Sequence, residues 1–214
     1  MLIPFSEIYE VLENRNTKIT GILHIGAHEC EEREAYMSQG IPDSMVYWVE
    51  GNPEKIKYNK ERGVPHIYEG LIYNEEKEVD FYVTNNFLNP GNTESSSILP
   101  LDMHQQYYPH VQIQEVKKLK TVRLESLVRE HKLPIQQLNF WNLDIQGVEL
   151  EALKSAGDMI HFADAIYVEV NTQHLYKGCS LLPDVENFLS KYGFMRIGLK
   201  MTEQGWGDAF FIKA

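Results

Sequence analysis

The stretch Leu23-His24-Ile25-Gly26-Ala27-His28-Glu29-Cys30 ends an apolar run on a glycine and opens directly into a cluster of acids. It reads as a strand over Ile19–Ile25, a Gly26-Ala27 turn, and a helix over Glu29–Gln39 stopped by Gly40. Glu29, Glu31 and Glu32 stand where the positive end of a helix dipole favours carboxylates. The same unit recurs along the chain. Met45–Glu50 is nearly all apolar, as a strand covered on both faces should be, and Pro53 suits the first turn of the helix after it. Leu138–Asp144 leads through Gly147 into a helix over Val148–Ala156, and Ala165–Val170 is followed by an amphipathic helix over Leu181–Tyr192. Shorter strands are expected at His66–Tyr68, Val79–Val83 and Val116–Leu124, a short helix at Glu125–His131, and closing strands at Phe194–Leu199 and Ala209–Ile212. Strands alternating with helices predict βαβ units: an α/β class with a mainly parallel sheet and helices on both faces.

Composition narrows the function. At 214 residues and 43% hydrophobic, the chain is long enough for one domain over 1–214, with a core at about 19–213 behind an N-terminal helical extension at 1–18. Thirty-one acids against twenty bases leave a net charge of −11, which argues against a protein that tracks nucleic-acid phosphates. No apolar run approaches the ~18 residues of a membrane span. Two cysteines, Cys30 and Cys179, cannot form a disulfide framework, so reduced thiols and a cytoplasmic setting are expected. Oligomeric state is left open by the sequence.

Four expected strands finish at or near a polar residue: His24, Glu50, Asp144 and Glu169. Ligands of open parallel sheets bind just beyond the carboxyl ends of the strands, so these four mark a candidate site. Glu50, 26 residues after His24, stands where an acid can accept the hydroxyls of a ribose. The G-x-G-x-x-G fingerprint is absent, since only Gly26 is present. That disfavours a pyrophosphate and a nicotinamide-dependent oxidoreductase, and suits a nucleoside without phosphates such as S-adenosylmethionine. His24-x-x-x-His28 reads as structural or cofactor-contacting, because His24 belongs to a strand and not to a metal-binding helix. Asp144, Glu169 and Asn171 could hold a divalent ion such as Mg²⁺ or orient a substrate, with His174 in the following loop. The irregular stretch 85–109, with Ser95, Ser96 and Ser97 and with Tyr107 and Tyr108, reads as a long loop with at most a short helix, of the kind that often carries function. The basic run Lys117-Lys118-Leu119-Lys120 reads as the solvated face of a strand.

The blocks Leu23–His28, Trp48–Pro53, Thr121–Leu127, Asn142–Glu149 with Leu153, Val168–Val170 and Tyr192–Phe194 resemble the FkbM-type methyltransferases in order and spacing. The resemblance implies a class I, Rossmann-like methyltransferase fold. It also implies S-adenosylmethionine as methyl donor and O-methylation of a hydroxyl on a sugar, glycan or small natural product. On it, His24, Gly26, Ala27, His28, Glu50, Gly51 and Asp144 would contact the cofactor, with Glu50 on the ribose. Asp144 and His174 are the candidates for removing the acceptor's proton, Glu169 and Ser96 for contacting the acceptor, and Asp144, Glu169 and Asn171 for any metal. Departures stand at His24, His28, Cys30 and Gln146, where the family usually has an acid, Asn, Gly and Glu. They keep open a non-catalytic relative that binds cofactor or glycan without turnover.

Overall fold

The computed structural model describes all 214 residues. In chain order the elements are α1 (Phe5–Asn14), β1 (Ile22–Ile25), α2 (Arg33–Ser38), β2 (Val46–Glu50), α3 (Pro53–Glu61), β3 (Ile67–Glu69), β4 (Leu71–Ile72) and β5 (Glu78–Asn86). There follow α4 (Met103–Tyr107), β6 (Val111–Val122), α5 (Leu124–His131), β7 (Phe140–Leu143), α6 (Glu149–Ser155), β8 (Ala165–Asn171), α7 (Leu182–Ser190), β9 (Phe194–Met201) and β10 (Trp206–Lys213). No helix is long and apolar enough to cross a membrane.

The sheet corrects the expectation of a mainly parallel, Rossmann-like arrangement: the topology is mixed. Seven strands run in the order β3-β2-β1-β7-β8-β10-β9, and a separate three-stranded sheet has the order β4-β6-β5. β3, β2, β1, β7 and β8 are parallel, but β10 lies antiparallel between β8 and β9, and β5 pairs antiparallel with β6. The antiparallel ladders are also the longer ones, with seven, seven and nine residue pairs against four or fewer in each parallel ladder. The cause is local: β9 and β10 are joined by a tight turn closed by Gly205 N donating to Thr202 O, and strands joined so closely can only run antiparallel.

Alternate residues of the large sheet feed two cores. Leu23, Ile25, Val49, Trp141, Leu143, Ile166 and Val168 pack with α5, α6 and α7. Ile22, Val46, Trp48, Phe140, Ala165 and Tyr167 pack with α1, α2 and α3 on the other side. This period of two is what a strand buried on both faces imposes. The helix after β1, α2, starts later than the sequence suggested, at Arg33, because His28 (φ 41°) and Cys30 (φ 58°) are in left-handed backbone that a right-handed helix cannot contain. The basic run lies on the largely exposed β6, with Lys117 against Glu54 and Lys118 against Asp80.

Candidate functional site

Strand register assembles the site. One residue beyond the pairs Ile25↔Val49, Ile25↔Leu143 and Leu143↔Val168 stand Glu50, Gly26, Asp144 and Glu169, and Glu169 pairs directly with Asp208 of β10. Four carboxylates therefore lie in one row across β2, β7, β8 and β10, interrupted only by Gly26. The glycine is obligatory. Its φ is +92°, and a Cβ there would stand 1.7 Å from the Asp144 carbonyl oxygen.

Two connected hollows open on this row. A slot of about 60 Å³ is lined by Glu50, Gly51, Asn52, Gly70 and Leu71 and, from the loop above, by Thr93, Ser96, Ser97 and Ile98. A larger cavity of about 480 Å³ is lined by His24, Glu32, Glu169 and Asp208 below and by His104, Tyr108, His110, Tyr176 and Trp206 opposite. Gly26, His28, Glu94, Asp144 and Gln146 border both.

In the slot, Glu50 accepts the His28 N–H at 2.7 Å on Oε2 and the Asn52 N–H at 2.6 Å on Oε1. Burial raises its carboxyl above the usual range, and these two amides work against that rise. His28 joins the turn to the loop above: Nε2 is 3.0 Å from Thr93 Oγ1, and Nδ1 is 2.5 Å from Glu31 Oε1. Ser96 Oγ donates to Thr93 O and accepts from Thr84 N, so it braces the loop at the slot. Ala27 is buried in the core below and lines neither hollow.

In the cavity, Gln146 clamps two acids. Its Nε2 donates to Asp144 Oδ1 at 2.6 Å and to Glu169 Oε2 at 2.8 Å, while its Oε1 accepts from Tyr176 Oη at 2.5 Å. Burial, with Asp144 and Glu149 nearby, holds the Glu169 carboxyl well above the usual range, and burial raises Asp208 likewise. His24 forms the floor, with Nδ1 3.0 Å from Tyr36 Oη, and burial lowers its pKa to about 4, so it is neutral. Across from it, Trp206 Nε1 donates to Tyr108 Oη at 2.9 Å and His104 packs between Tyr108 and Tyr176. His104 is buried, its pKa is lowered by burial to about 4, and its Nδ1 has no partner. Met1 and Leu2 close one side: the Met1 ammonium is 3.6 Å from Glu32, and the Leu2 N–H donates to Asp208.

The structure thus brings together His24, Gly26, His28, Glu50, Gly51, Asp144, Glu169 and Ser96. His174 is apart from them: it is exposed, its Nδ1 is 3.8 Å from Cys179 Sγ, and it lines neither hollow. Asn171 is fully buried with both amide atoms unpartnered and also lines neither. Between Asp144 and Glu169 the place a cation would take is held by the Gln146 amide. The ligand atoms that do converge, within 4.8 Å of one another, belong to His28, Glu31 and Glu94 at the mouth. Sequence reasoning missed Asp208, His104, His110 and Trp206. A charged residue directly before the apolar run Ala209–Ile212 was the available signal for the first of these.

No curated protein sequence matches the chain. Among solved structures, it is similar to magnesium protoporphyrin IX methyltransferase from Synechocystis PCC 6803 with bound SAM, at 9% identity over 98% of this chain and 77% of that one, TM-score 0.46. The same enzyme with bound SAH gives 9% over 98% and 81%, TM-score 0.47. A SAM-dependent methyltransferase from Aquifex aeolicus gives 11% over 96% and 88%, TM-score 0.37. The assignment rests on none of these but on the family profile, described as the methyltransferase FkbM domain, which matches residues 24–195. Covering most of the chain, that match places this protein in the FkbM methyltransferase family, and it is an S-adenosylmethionine-dependent methyltransferase.

Proposed function

We propose that the chain methylates a hydroxyl of a sugar, glycan or small natural product bound in the larger cavity, with the cofactor's nucleoside end at Glu50. The observation that supports this most is the buried Glu50 at the sheet edge. Each of its oxygens accepts one backbone N–H, and a carboxylate has about four lone-pair sites, so two remain for a ribose diol. The donor set fits the cofactor; the slot is smaller than it. At about 60 Å³ it is well below the roughly 300–1,000 Å³ of ordinary ligand sites, so Thr93–Ile98 must lift for the nucleoside to enter.

S-adenosylmethionine supplies a methyl carbon bound to a positively charged sulfur. The chain's part is to align an acceptor oxygen with that carbon and to take the hydroxyl's proton. Asp144 borders both hollows and so lies where donor and acceptor meet. In our reading it takes the proton, while the clamp by Gln146 fixes its rotamer. His104, neutral and buried between Tyr108 and Tyr176, helps shape the wall the acceptor packs against. His174 has no part in this geometry. We read residues 1–214 as one domain. Its two buried free cysteines suit a reducing, cytoplasm-like compartment.

Calorimetric titration with S-adenosylhomocysteine tests the cofactor end: binding in the micromolar range is expected. Absence of any heat with a folded protein, alone and with candidate acceptors present, would overturn the reading.

A further inference from the structure

β9 ends the seven-stranded sheet, so one of its edges carries unpaired backbone. It is eight residues long, against three for β3 at the opposite edge. Exposed strand edges of that length template further pairing unless something blunts them. The β9–β10 ladder fixes which groups point outward. Thr202 N donates to Trp206 O at 2.8 Å, and bonded residues alternate in an antiparallel ladder, so Lys200 and Gly198 also bond to β10. Leu199 and Met201 therefore aim both backbone groups away from the sheet. Ile197, left without a partner where the register shifts, aims its C=O the same way, because that carbonyl shares a peptide plane with the Gly198 N–H. The side chains of this row are apolar and partly uncovered: Ile197 is 36% exposed and Leu199 39%, while Met201 packs in part against the core under α7.

Charge does not blunt this edge. Arg196 is held by Glu186 of α7, with Nε 2.5 Å from Oε1, and Lys200 turns to the face covered by the N-terminal segment, its Nζ donating to Leu2 O at 3.0 Å. One two-fold register matches outward groups to outward groups along the strand, and it is centred on Leu199. There Leu199 faces its own copy, and Ile197 faces Met201 of the partner. The rows between agree with it. Lys200 stands opposite the partner's Gly198, which has no side chain, and Arg196 opposite the partner's Thr202, so no cation faces a cation. A centre on Ile197 runs into the register shift, and one on Met201 runs into the turn that follows it. The patch thus complements itself, which is what a closed two-fold dimer requires.

We propose that the protein forms a two-fold dimer by antiparallel pairing of β9 with β9 of a second copy, centred on Leu199. The pairing joins the two seven-stranded sheets edge to edge. Ile197, Leu199 and Met201 of both protomers then form one apolar strip, and side chains that a single chain leaves in water are covered. Paired over about five residues a side, where standard interfaces take about 20–30, this is a weak, concentration-dependent association in the micromolar range. It depends on neither the cofactor nor the acceptor.

Sedimentation velocity on the full chain, from about 1 µM to about 500 µM, should show monomer passing to dimer and to nothing larger. Leu199→Lys sets two like charges against each other on the axis and should weaken the association about tenfold or more. Met37→Lys, at an equally exposed position on α2, should associate as wild type does. Amide hydrogen exchange on the wild-type chain reads the register without any variant. The Leu199 and Met201 amides should gain protection as concentration rises, whereas those of Gly198 and Lys200, already bonded to β10, should change little. Urea unfolding checks that Leu199→Lys is folded. The proposal is overturned by a chain that stays monomeric throughout the range or grows beyond two copies. It is equally overturned by a dimer that folded Leu199→Lys leaves intact, that Met37→Lys weakens as much, or that forms without protection at Leu199 and Met201.

Discussion

Replacing Glu50 with Gln separates a cofactor contact from a loop brace. The carboxylate accepts two backbone amides, from His28 at 2.7 Å and Asn52 at 2.6 Å. Gln keeps one acceptor and turns its NH₂ toward the other N–H, which loses a hydrogen bond and leaves a buried donor facing a donor, a cost of about 1–3 kcal/mol. Burial already disfavours the charge on Glu50, so removing that charge offsets part of the loss. The cofactor term is separate. A ribose diol on a carboxylate makes charge-assisted hydrogen bonds, and weakening them should cost roughly 1.5–3 kcal/mol, about ten- to over a hundredfold in affinity. Two measurements are paired: calorimetry with S-adenosylhomocysteine, and urea unfolding of the same preparations without ligand. The reasoning expects an affinity loss of at least about tenfold with a modest stability loss. If Glu50→Gln unfolds more easily yet binds S-adenosylhomocysteine within about twofold of wild type, Glu50 only braces the turn, and the placement of the nucleoside is refuted.

Other consequences follow from the same geometry. His28→Asn keeps a residue that tolerates the left-handed backbone but removes the bond to Thr93, worth about 1 kcal/mol; stopped-flow association of S-adenosylhomocysteine should speed up about fivefold, and an unchanged rate would mean that the loop is not the gate. Gly26→Ala places a methyl group 1.7 Å from the Asp144 carbonyl oxygen, so the variant should lose several kcal/mol in urea unfolding or fail to fold, whereas wild-type-like stability would mean that the turn is misdescribed. Gln146→Leu leaves Asp144 and Glu169 facing each other without a donor; methyl transfer should fall while S-adenosylhomocysteine binding stays close to wild type, and equal loss of both would contradict the clamp. Buried Glu149, raised to about 7 from an ordinary 4.5, keeps its proton in the folded state longer than in the unfolded one, so its contribution to stability declines as pH rises from 4.5 to 7. Its Oε1 accepts both the Ile145 and Gly147 amides, which Gln can copy, so Glu149→Gln should gain stability over wild type across that window, by on the order of 3 kcal/mol; a gain independent of pH would refute the assignment. His24 and His104, lowered to about 4 from 6.5, act in the opposite sense: their contribution is whole above pH 6.5 and is lost as pH falls toward 4.

Three acids of the candidate site were legible from the chain alone, and for a definite reason. Glu50, Asp144 and Glu169 sit at or near the carboxyl ends of parallel strands, where an apolar run broken by an acid marks the edge of the sheet. Asp208 escaped that logic because it lies in the third position of a strand that enters the row from the opposite direction. A rule about carboxyl ends cannot see a residue delivered near an amino end, so the mistaken expectation of a mainly parallel sheet and the missed acid share one cause. His174 fails for a different reason. It follows Glu169 closely in sequence, but Leu175 and Tyr176 turn inward and leave it exposed beside Cys179. The helix start was misjudged because acids and spacing are visible in a sequence, whereas the left-handed backbone at His28 and Cys30 is not.

Local order along the chain determined the elements, the two cores that alternate residues feed, and the acids that end the parallel strands, because periodicity and chain breaks act over a few residues. Tertiary structure alone decided what meets across the cavity. His104 and Tyr108 come from the short helix α4 and its end, Trp206 and Asp208 from β10, which slots between β8 and β9, and Gln146 from a left-handed turn. Their juxtaposition depends on long-range register and closure, and those are properties of the packed sheet.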